Sequence, residues 1–323
     1  MAEVVTLGEC LIALVASATG PLTEATTFER HVAGAEANVA VGLARLGHSV
    51  EYAGRVGADG FGTTILRKLR GEGVGVSALR VDPTASTGIM VRERRALGPA
   101  QVLYYRAGSA GSMLALEDVD GAAPLFEGAR WLHVTGITPA LSASARAAVE
   151  RAAEHARAAG MTVSLDLNFR RRLWSEADAA PVFRTLAASA DVVFGDADEA
   201  VVALGLPADT PAEKLARGLV GLGAATAVIK TGADGAVAAT RDGIVVRSPA
   251  LPVRQVVDPV GAGDAFAAGF IAATLEGQHL ETAMRTGNAC GAAALSALGD
   301  MTGLPDRAEL DRLLAAPSLD TLR

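Results

Sequence analysis

Short apolar runs alternate along this chain with longer stretches of helical spacing, a pattern that predicts parallel strands covered by helices on both faces. Residues 3–7 form the first apolar run, and the stretch MAEVVTLGECLIALV around them reads as one buried strand rather than a secretory leader. The chain turns at Gly8-Glu9 toward a polar, Thr-rich segment at 17–30. In AGAEANVAVGLARLG, residues 33–47, Val39, Leu43 and Leu46 share a helical face and Gly47 supplies the stop. A strand at 50–56, the turn GADGFG at 57–62, a helix at 64–71 and a strand at 79–81 follow. Further strands are expected at 130–135, 162–167, 191–194 and 225–230. Helices are expected at 142–159, at 182–190 and from Thr210-Pro211, where the threonine would cap and the proline fill the first turn. A small-residued helix at 281–298, ended by Gly299, should pack closely on the helix before it. A short helix at 307–314 and a frayed tail from Pro317 complete the expectation.

One interval breaks the alternation. Between residues 85 and 106, TGIMVRERR and QVLYYR read as two hairpin strands joined by LGPA. With the segment at 17–32 they predict a small sheet lying over the main one as a lid. In open parallel sheets, ligands bind beyond the carboxyl ends of the strands. Gly8, Asn168, Asp196 and Thr231 fall there, and so does a Gly-rich turn late in the chain.

That turn opens DPVGAGDAFAAGF, residues 258–270. Gly261 and Gly263 bracket Ala262 and allow successive N–H groups to point into one concavity, and the following helix adds its free N–H groups and dipole. Phosphate is favoured at such a place. Asp264 stands where an acceptor would cap the helix. A carboxylate beside a phosphate-attracting turn repels its ligand unless it is needed to take a proton, so the pattern points to phosphoryl transfer with Asp264 as base. The same local pattern also starts helices that bind nothing, and the remainder of the chain decides between the two.

Composition narrows the partners. In 323 residues with half hydrophobic and a net charge of −7, a large core is affordable and a basic footprint for nucleic acid is missing. No apolar run reaches bilayer length. Cys10 and Cys290 give neither a disulfide framework nor metal-ligand spacing, which suits a reducing cytoplasm.

With these pieces in order, the chain resembles the ribokinase-like (PfkB) sugar kinase family over essentially its whole length. AGAEANVAVGLARLG, GRVGADGFG at 54–62 and DPVGAGDAFAAGF carry the likeness. The resemblance implies one kinase domain spanning 1–323. It would be a three-layer α/β/α core with a mostly parallel sheet, plus a small β-sheet lid formed by about 15–33 and 85–107. It further implies ATP-dependent transfer to a primary hydroxyl, with Asp264 as base and Gly261, Ala262 and Gly263 as the anion hole. The nucleotide would lie near KTGADGA, with Lys230, Gly232 and Gly235, and near Asn288. The family's NxxE motif corresponds here to Asp196 and Glu199, so an aspartate replaces the asparagine and Mg2+ would be held through water. A monovalent cation is a further candidate cofactor, and a homo-oligomer joined through the lid is expected.

Arg106 in YYRAGSAGS and Arg170 in LDLNFRRRLW both follow apolar strands, and arginine's planar fork matches a carboxylate. Two convergent arginines point to a sugar acid. These segments, with AGAEANVA and HVTGITPALS, resemble 2-keto-3-deoxygluconate kinases within the family. That likeness implies sugar-acid contacts from Gly34, Asn38, Tyr104, Arg106 and Arg170. Ala13, where many relatives place an aspartate that grips sugar hydroxyls, disfavours a neutral sugar; Met90 stands where such kinases can present a tyrosine. A kinase for fructose or a related neutral sugar, and a non-catalytic sugar sensor, remain as alternatives.

Overall fold

Runs of apolar residues buried on both faces make the strands of the main sheet, as a sheet between two helical layers requires. The computed structural model describes residues 2–95, 98 and 100–315. The LGPA turn lies partly, and the tail from Pro317 wholly, outside the described residues. The elements run β1 (Val4–Leu7), β2 (Leu11–Thr19), β3 (Phe28–Ala33), α1 (Ala35–Arg45), β4 (Val50–Gly57), α2 (Gly60–Gly71), β5 (Leu79–Asp82), β6 (Ile89–Arg94) and β7 (Val102–Tyr105). Then come α3 (Leu116–Gly121), β8 (Trp131–Thr135), α4 (Ala143–Ala158), β9 (Thr162–Asp166), α5 (Glu176–Ser189), β10 (Val192–Asp196), α6 (Ala197–Leu204) and α7 (Ala212–Leu222). The last are β11 (Thr226–Lys230), β12 (Ala236–Thr240), β13 (Val245–Ser248), α8 (Ala262–Leu275), α9 (Leu280–Ala294) and α10 (Arg307–Ala315).

The main sheet has nine strands in the order β13-β12-β11-β10-β9-β8-β1-β4-β5. β11–β12 and β12–β13 are antiparallel, and the remaining pairs are parallel. Alternate residues divide the core: Val4 and Tyr52 pack with α1, α8 and α9, while Val5, Leu7 and Ala53 pack with α4 and α5 on the other face. The second sheet, β3-β2-β6-β7, has antiparallel outer pairs and a parallel central pair.

Several boundaries move from the sequence reading. The first apolar stretch is two strands, because the chain leaves the main sheet at Gly8, whose carbonyl accepts from the buried Tyr52 hydroxyl at 2.8 Å. The small sheet therefore begins at Leu11 rather than near residue 15. α2 starts at Gly60, capped by Asp59, which accepts from Gly62 N at 2.7 Å. α5 starts at Glu176 behind a Ser175 cap and carries Pro181 inside it, which masks its first turn in a sequence reading. Thr210 caps nothing; its hydroxyl donates to Pro207 O, and Pro211 itself occupies the cap position. The β12–β13 hairpin and α6 were not anticipated.

α8 lies against α9 through small residues, as the composition predicts. A Cβ on Gly269 would sit 2.7 Å from Cys290 Sγ and 2.8 Å from Thr286 O, and one on Gly287 would sit 2.9 Å from Phe266 O. Because backbone cannot yield there, Gly269→Val should lower stability by about 1–3 kcal/mol in chemical denaturation. Gly221→Ala, on an exposed helical position with nothing within 4 Å, should instead be neutral or raise it by about 0.5–1 kcal/mol. Equal midpoints for Gly269→Val and wild type would sink the close-packing account.

Candidate active site

Strand ends and helix starts converge on one cavity of about 550 Å³. Glu9 follows β1, Asn168 and Arg170 follow β9, Asp196 ends β10 and Lys230 ends β11. α1 contributes Gly34 and Asn38, α8 contributes Gly261, Gly263 and Asp264, and the small sheet contributes Met90, Arg92 and Tyr104. A second cavity of about 600 Å³ is mostly apolar and is lined by Gly235, Leu251, Pro252, Phe266 and Asn288. Lys230, Gly232, Pro259 and Gly263 line both cavities and form the wall between them.

The GAG turn is built as the sequence indicates. Gly261 is the N-cap of α8 at φ +82°, and a Cβ there would meet Asp300 O at 2.6 Å. Gly34 caps α1 at φ +150°, with Glu9 O at 2.5 Å from where a Cβ would stand. Asp264 is not the cap. It is the third residue of α8, buried, and its carboxylate accepts from Asn38 Nδ2 at 2.7 Å. A cap without a side chain leaves the first-turn N–H groups of Gly263 and Asp264 for a ligand. Burial pushes the Asp264 carboxyl up to about 7; the Asn38 hydrogen bond opposes this, Asp166 adds to it, and Lys230 and Arg170 pull it down.

Lys230 donates to Asp166 Oδ2 at 2.7 Å and lies beside Gly263. Burial acts to discharge it, but Asp166 and Glu199 outweigh burial and hold its pKa above the ordinary value. Asp196 and Glu199 cap each other: Glu199 N donates to Asp196 at 2.8 Å, and Asp196 N donates to Glu199 at 3.0 Å. Glu199 also accepts from Phe169 N at 2.9 Å, and burial with the Asp166 charge pushes it up to about 7. Asn288 donates to Ser248 and to Pro249 O, which leaves its position fixed beside the second cavity.

Both arginines singled out in the sequence reach the first cavity, in different states. Arg106 is buried, ion-paired with Glu9, and stacked over Tyr104 at 5.4 Å from the ring centre. Arg170 is 42% exposed, donates to Asn168 Oδ1 at 2.6 Å and stands 3.7 Å from the Glu199 carboxylate. Asn168 holds φ +42°, the single positive φ of a non-glycine among the described residues, and such strain concentrates at functional positions. Several buried polar atoms here lack protein partners: Asn38 Oδ1, Arg92 Nε, Arg106 Nε, Asp166 Oδ1 and Asn168 Nδ2. Unpaired buried groups gathered at one cavity mark a place where a polar ligand completes them.

Sequence reasoning missed Glu9, Glu36, Arg92, Asp166, Asp258 and Asp300. Glu36 accepts from Thr135 and Thr138 at 2.8 and 2.7 Å, and Asp300 accepts from Asn38 at 3.4 Å. Each is buried, yet a lone acidic residue in the sequence reads as a solvated charge. The one available signal was Asp166, an acid inside the apolar run VSLDL.

Comparison with known proteins agrees with this geometry. A model described as pfkB family carbohydrate kinase matches residues 1–307. The 2-dehydro-3-deoxygluconokinase of Bacillus subtilis (strain 168) is 39% identical over 318 residues, covering 97% of this chain and 96% of that protein. The enzyme of the same name from Thermoproteus tenax is 39% identical over 320 residues, covering 98% and 95%. Among solved structures, the PfkB protein from Polaromonas sp. JS666 matches with a TM-score of 0.84 at 37% identity, over 97% of this chain and 99% of that one. A putative ribokinase II from E. coli, in complex with ATP and Mg2+, matches with a TM-score of 0.89 at 25% identity over the same shares. The buried acid beside a GAG turn, the nine-stranded core and these likenesses agree: the chain belongs to the pfkB family of carbohydrate kinases.

Proposed function

We propose that the protein transfers the γ-phosphoryl group of ATP to the terminal hydroxyl of 2-keto-3-deoxygluconate (2-dehydro-3-deoxy-D-gluconate), giving the 6-phosphate. The observation that carries this reading is the two-cavity arrangement, with Gly263 in the shared wall and Asp264 next to it on the polar side. The sugar acid occupies the polar cavity against Gly34, Asn38 and Tyr104, and ATP the apolar one against Gly232, Gly235 and Asn288. Asp264 takes the hydroxyl proton, for which a pKa near 7 is suited. The N–H groups of the Gly261-Ala262-Gly263 turn receive charge on the moving group, and Lys230, the charged residue common to both cavities, faces it from the wall. Arg170 receives the sugar carboxylate. Arg106, already neutralised by Glu9, offers its free Nε as a hydrogen-bond donor.

The donor set suits Mg2+ carried in largely by water and nucleotide oxygens. Among the described residues no group of three or more His, Cys, Asp or Glu side chains converges on a point. Asp196 is exposed at the cavity rim, and Asp166 keeps a free buried oxygen. When bound, the ion would neutralise phosphate charge. The small sheet is the lid, since Leu11, Ala33, Met90, Arg92 and Tyr104 face the sugar cavity. Among the described residues no helix is long and apolar enough to cross a membrane. Use of ATP and two buried free cysteines favour the cytoplasm as the place of action.

ADP release with ATP and Mg2+ should be fastest with 2-keto-3-deoxygluconate, compared with its galacto epimer, gluconate, fructose and ribose. In the same assay Arg170→Ala should raise KM for the acid about tenfold or more, the loss of a charged hydrogen bond. Preference for fructose, or an unchanged KM in the variant, would remove the carboxylate role.

Asp264→Asn should lower kcat by about 10²–10⁴-fold, and wild-type kcat/KM should fall as pH drops below about 7. The Asp264 carboxyl moves from an ordinary value of 3.8 to about 7 in the folded state, so between those limits the folded state binds the extra proton. Wild-type stability from this group is therefore lost as pH rises through that window. The asparagine variant should be more stable than wild type at pH 8, on the order of a few kcal/mol, and the gap should close toward pH 4. Near-normal turnover in this variant would refute Asp264 as the base.

The face of the lid turned away from the cavity exposes Tyr105 at 63% and Phe28 at 39%. A second copy of the chain should cover it, giving a dimer by light scattering that Phe28→Glu with Tyr105→Glu converts to monomer. A wild-type monomer would discard the pairing.

A further inference from the structure

The segment at residues 258–263 runs into the start of α8 and carries the anion hole, and its backbone is tied to the end of α9 where Val257 N donates to Leu295 O at 2.8 Å. Further fixed points come from two places. Asp258 accepts from Val260 N and from Gly299 N, both at 3.2 Å, so its carboxylate ties the loop to the turn after α9. The same carboxylate is gripped from the small sheet by both Nη atoms of Arg92 on β6, one at 2.8 Å and the other closer. Asp258 is 3% exposed, and the Arg92 side chain 11%. His31, on β3 of the same sheet, rests against Gly299. Two strands of the small sheet thus bear on the two segments that shape the anion hole.

A bidentate guanidinium–carboxylate pair fixes orientation as well as charge, which a lysine at this place would not do. Arg92 also lines the sugar cavity, and its Nε is buried without a partner. It sits where lid position, cavity contents and loop geometry meet.

We propose that Arg92 is a positioning residue, a latch through which the small sheet holds the 258–263 loop in the geometry that receives the phosphoryl group. Closing the lid and assembling the anion hole are then one event. The proposal rests on the reading of the GAG turn as the phosphoryl cradle. Loop mobility in the free protein is measured separately, so failure of one reading is distinguishable from failure of the other.

The experiment compares wild type, Arg92→Ala, Arg92→Lys and the control Arg94→Ala, whose residue on the same strand donates to Ser17 O instead. Backbone amide exchange in the free protein should quicken over residues 258–265 in Arg92→Ala and stay unchanged in the control. With ATP and the preferred sugar acid, kcat of Arg92→Ala should fall about 10²-fold, the effect of a sub-ångström to 1 Å misplacement, while KM for ATP changes less than about threefold. Millimolar guanidinium should restore part of kcat in Arg92→Ala and leave wild type unaffected; Arg92→Lys should fall between the two. Unchanged exchange over the loop overturns the latch, as does full activity despite quickened exchange. Loss of kcat without guanidinium rescue, accompanied by faster exchange throughout the core, also overturns it, because that is general destabilisation. Should Arg92→Ala not fold, Arg92→Lys carries both readouts. Should wild type turn over no sugar, the exchange result alone decides the latch and the cradle reading falls.

Discussion

A carboxylate held out of water at the start of a helix is the constraint around which this molecule is arranged. Ionised, Asp264 gains the Asn38 hydrogen bond but loses its hydration, and burial wins far enough to bring it to about 7. Nearby groups pull it both ways, with Asp166 raising it further. Asn38 donates to the carboxylate from α1, Lys230 stands charged at the wall, and Arg170 adds a more distant positive charge. Lys230 would itself be too costly to bury but for Asp166. A carboxyl poised near neutrality therefore requires the ends of β9 and β11 and the starts of α1 and α8 to meet, and the parallel sheet is what brings them together.

The site divides its labour by polarity. The first cavity gathers unpaired buried polar atoms and both signs of charge, while the second is mostly apolar, with Asn288 fixed at its edge. Four residues belong to both, three of them Gly or Pro, so backbone approaches the passage closely and Lys230 is the side chain that reaches across it. The small sheet completes the first cavity, grips Asp258 through Arg92 and rests against Gly299 through His31.

Much of this was legible in the residues. GAG followed by Asp within an apolar helix pattern marks both a backbone cradle and an acid with nowhere to go but the interior. The alternation of apolar runs gives the parallel core, and the Gly- and Ala-rich α9 gives its close seat on α8. Boundaries slipped where a local signal was masked: Pro181 hides the first turn of α5, and an unbroken apolar stretch hides the departure of β2 from the main sheet at Gly8.

The sequence by itself determined the layered fold and the Gly-rich turn that opens α8, because each depends on contacts within a few residues or on a repeating period. Only the tertiary structure decided what the charged residues are worth. Arg106 pairs with Glu9 across 97 positions of sequence, Asn38 reaches Asp264 across 226, and Arg92 grips Asp258 across 166. No periodicity encodes such pairs. Burial and partnership set the charge state of each group, and both are properties of the folded chain.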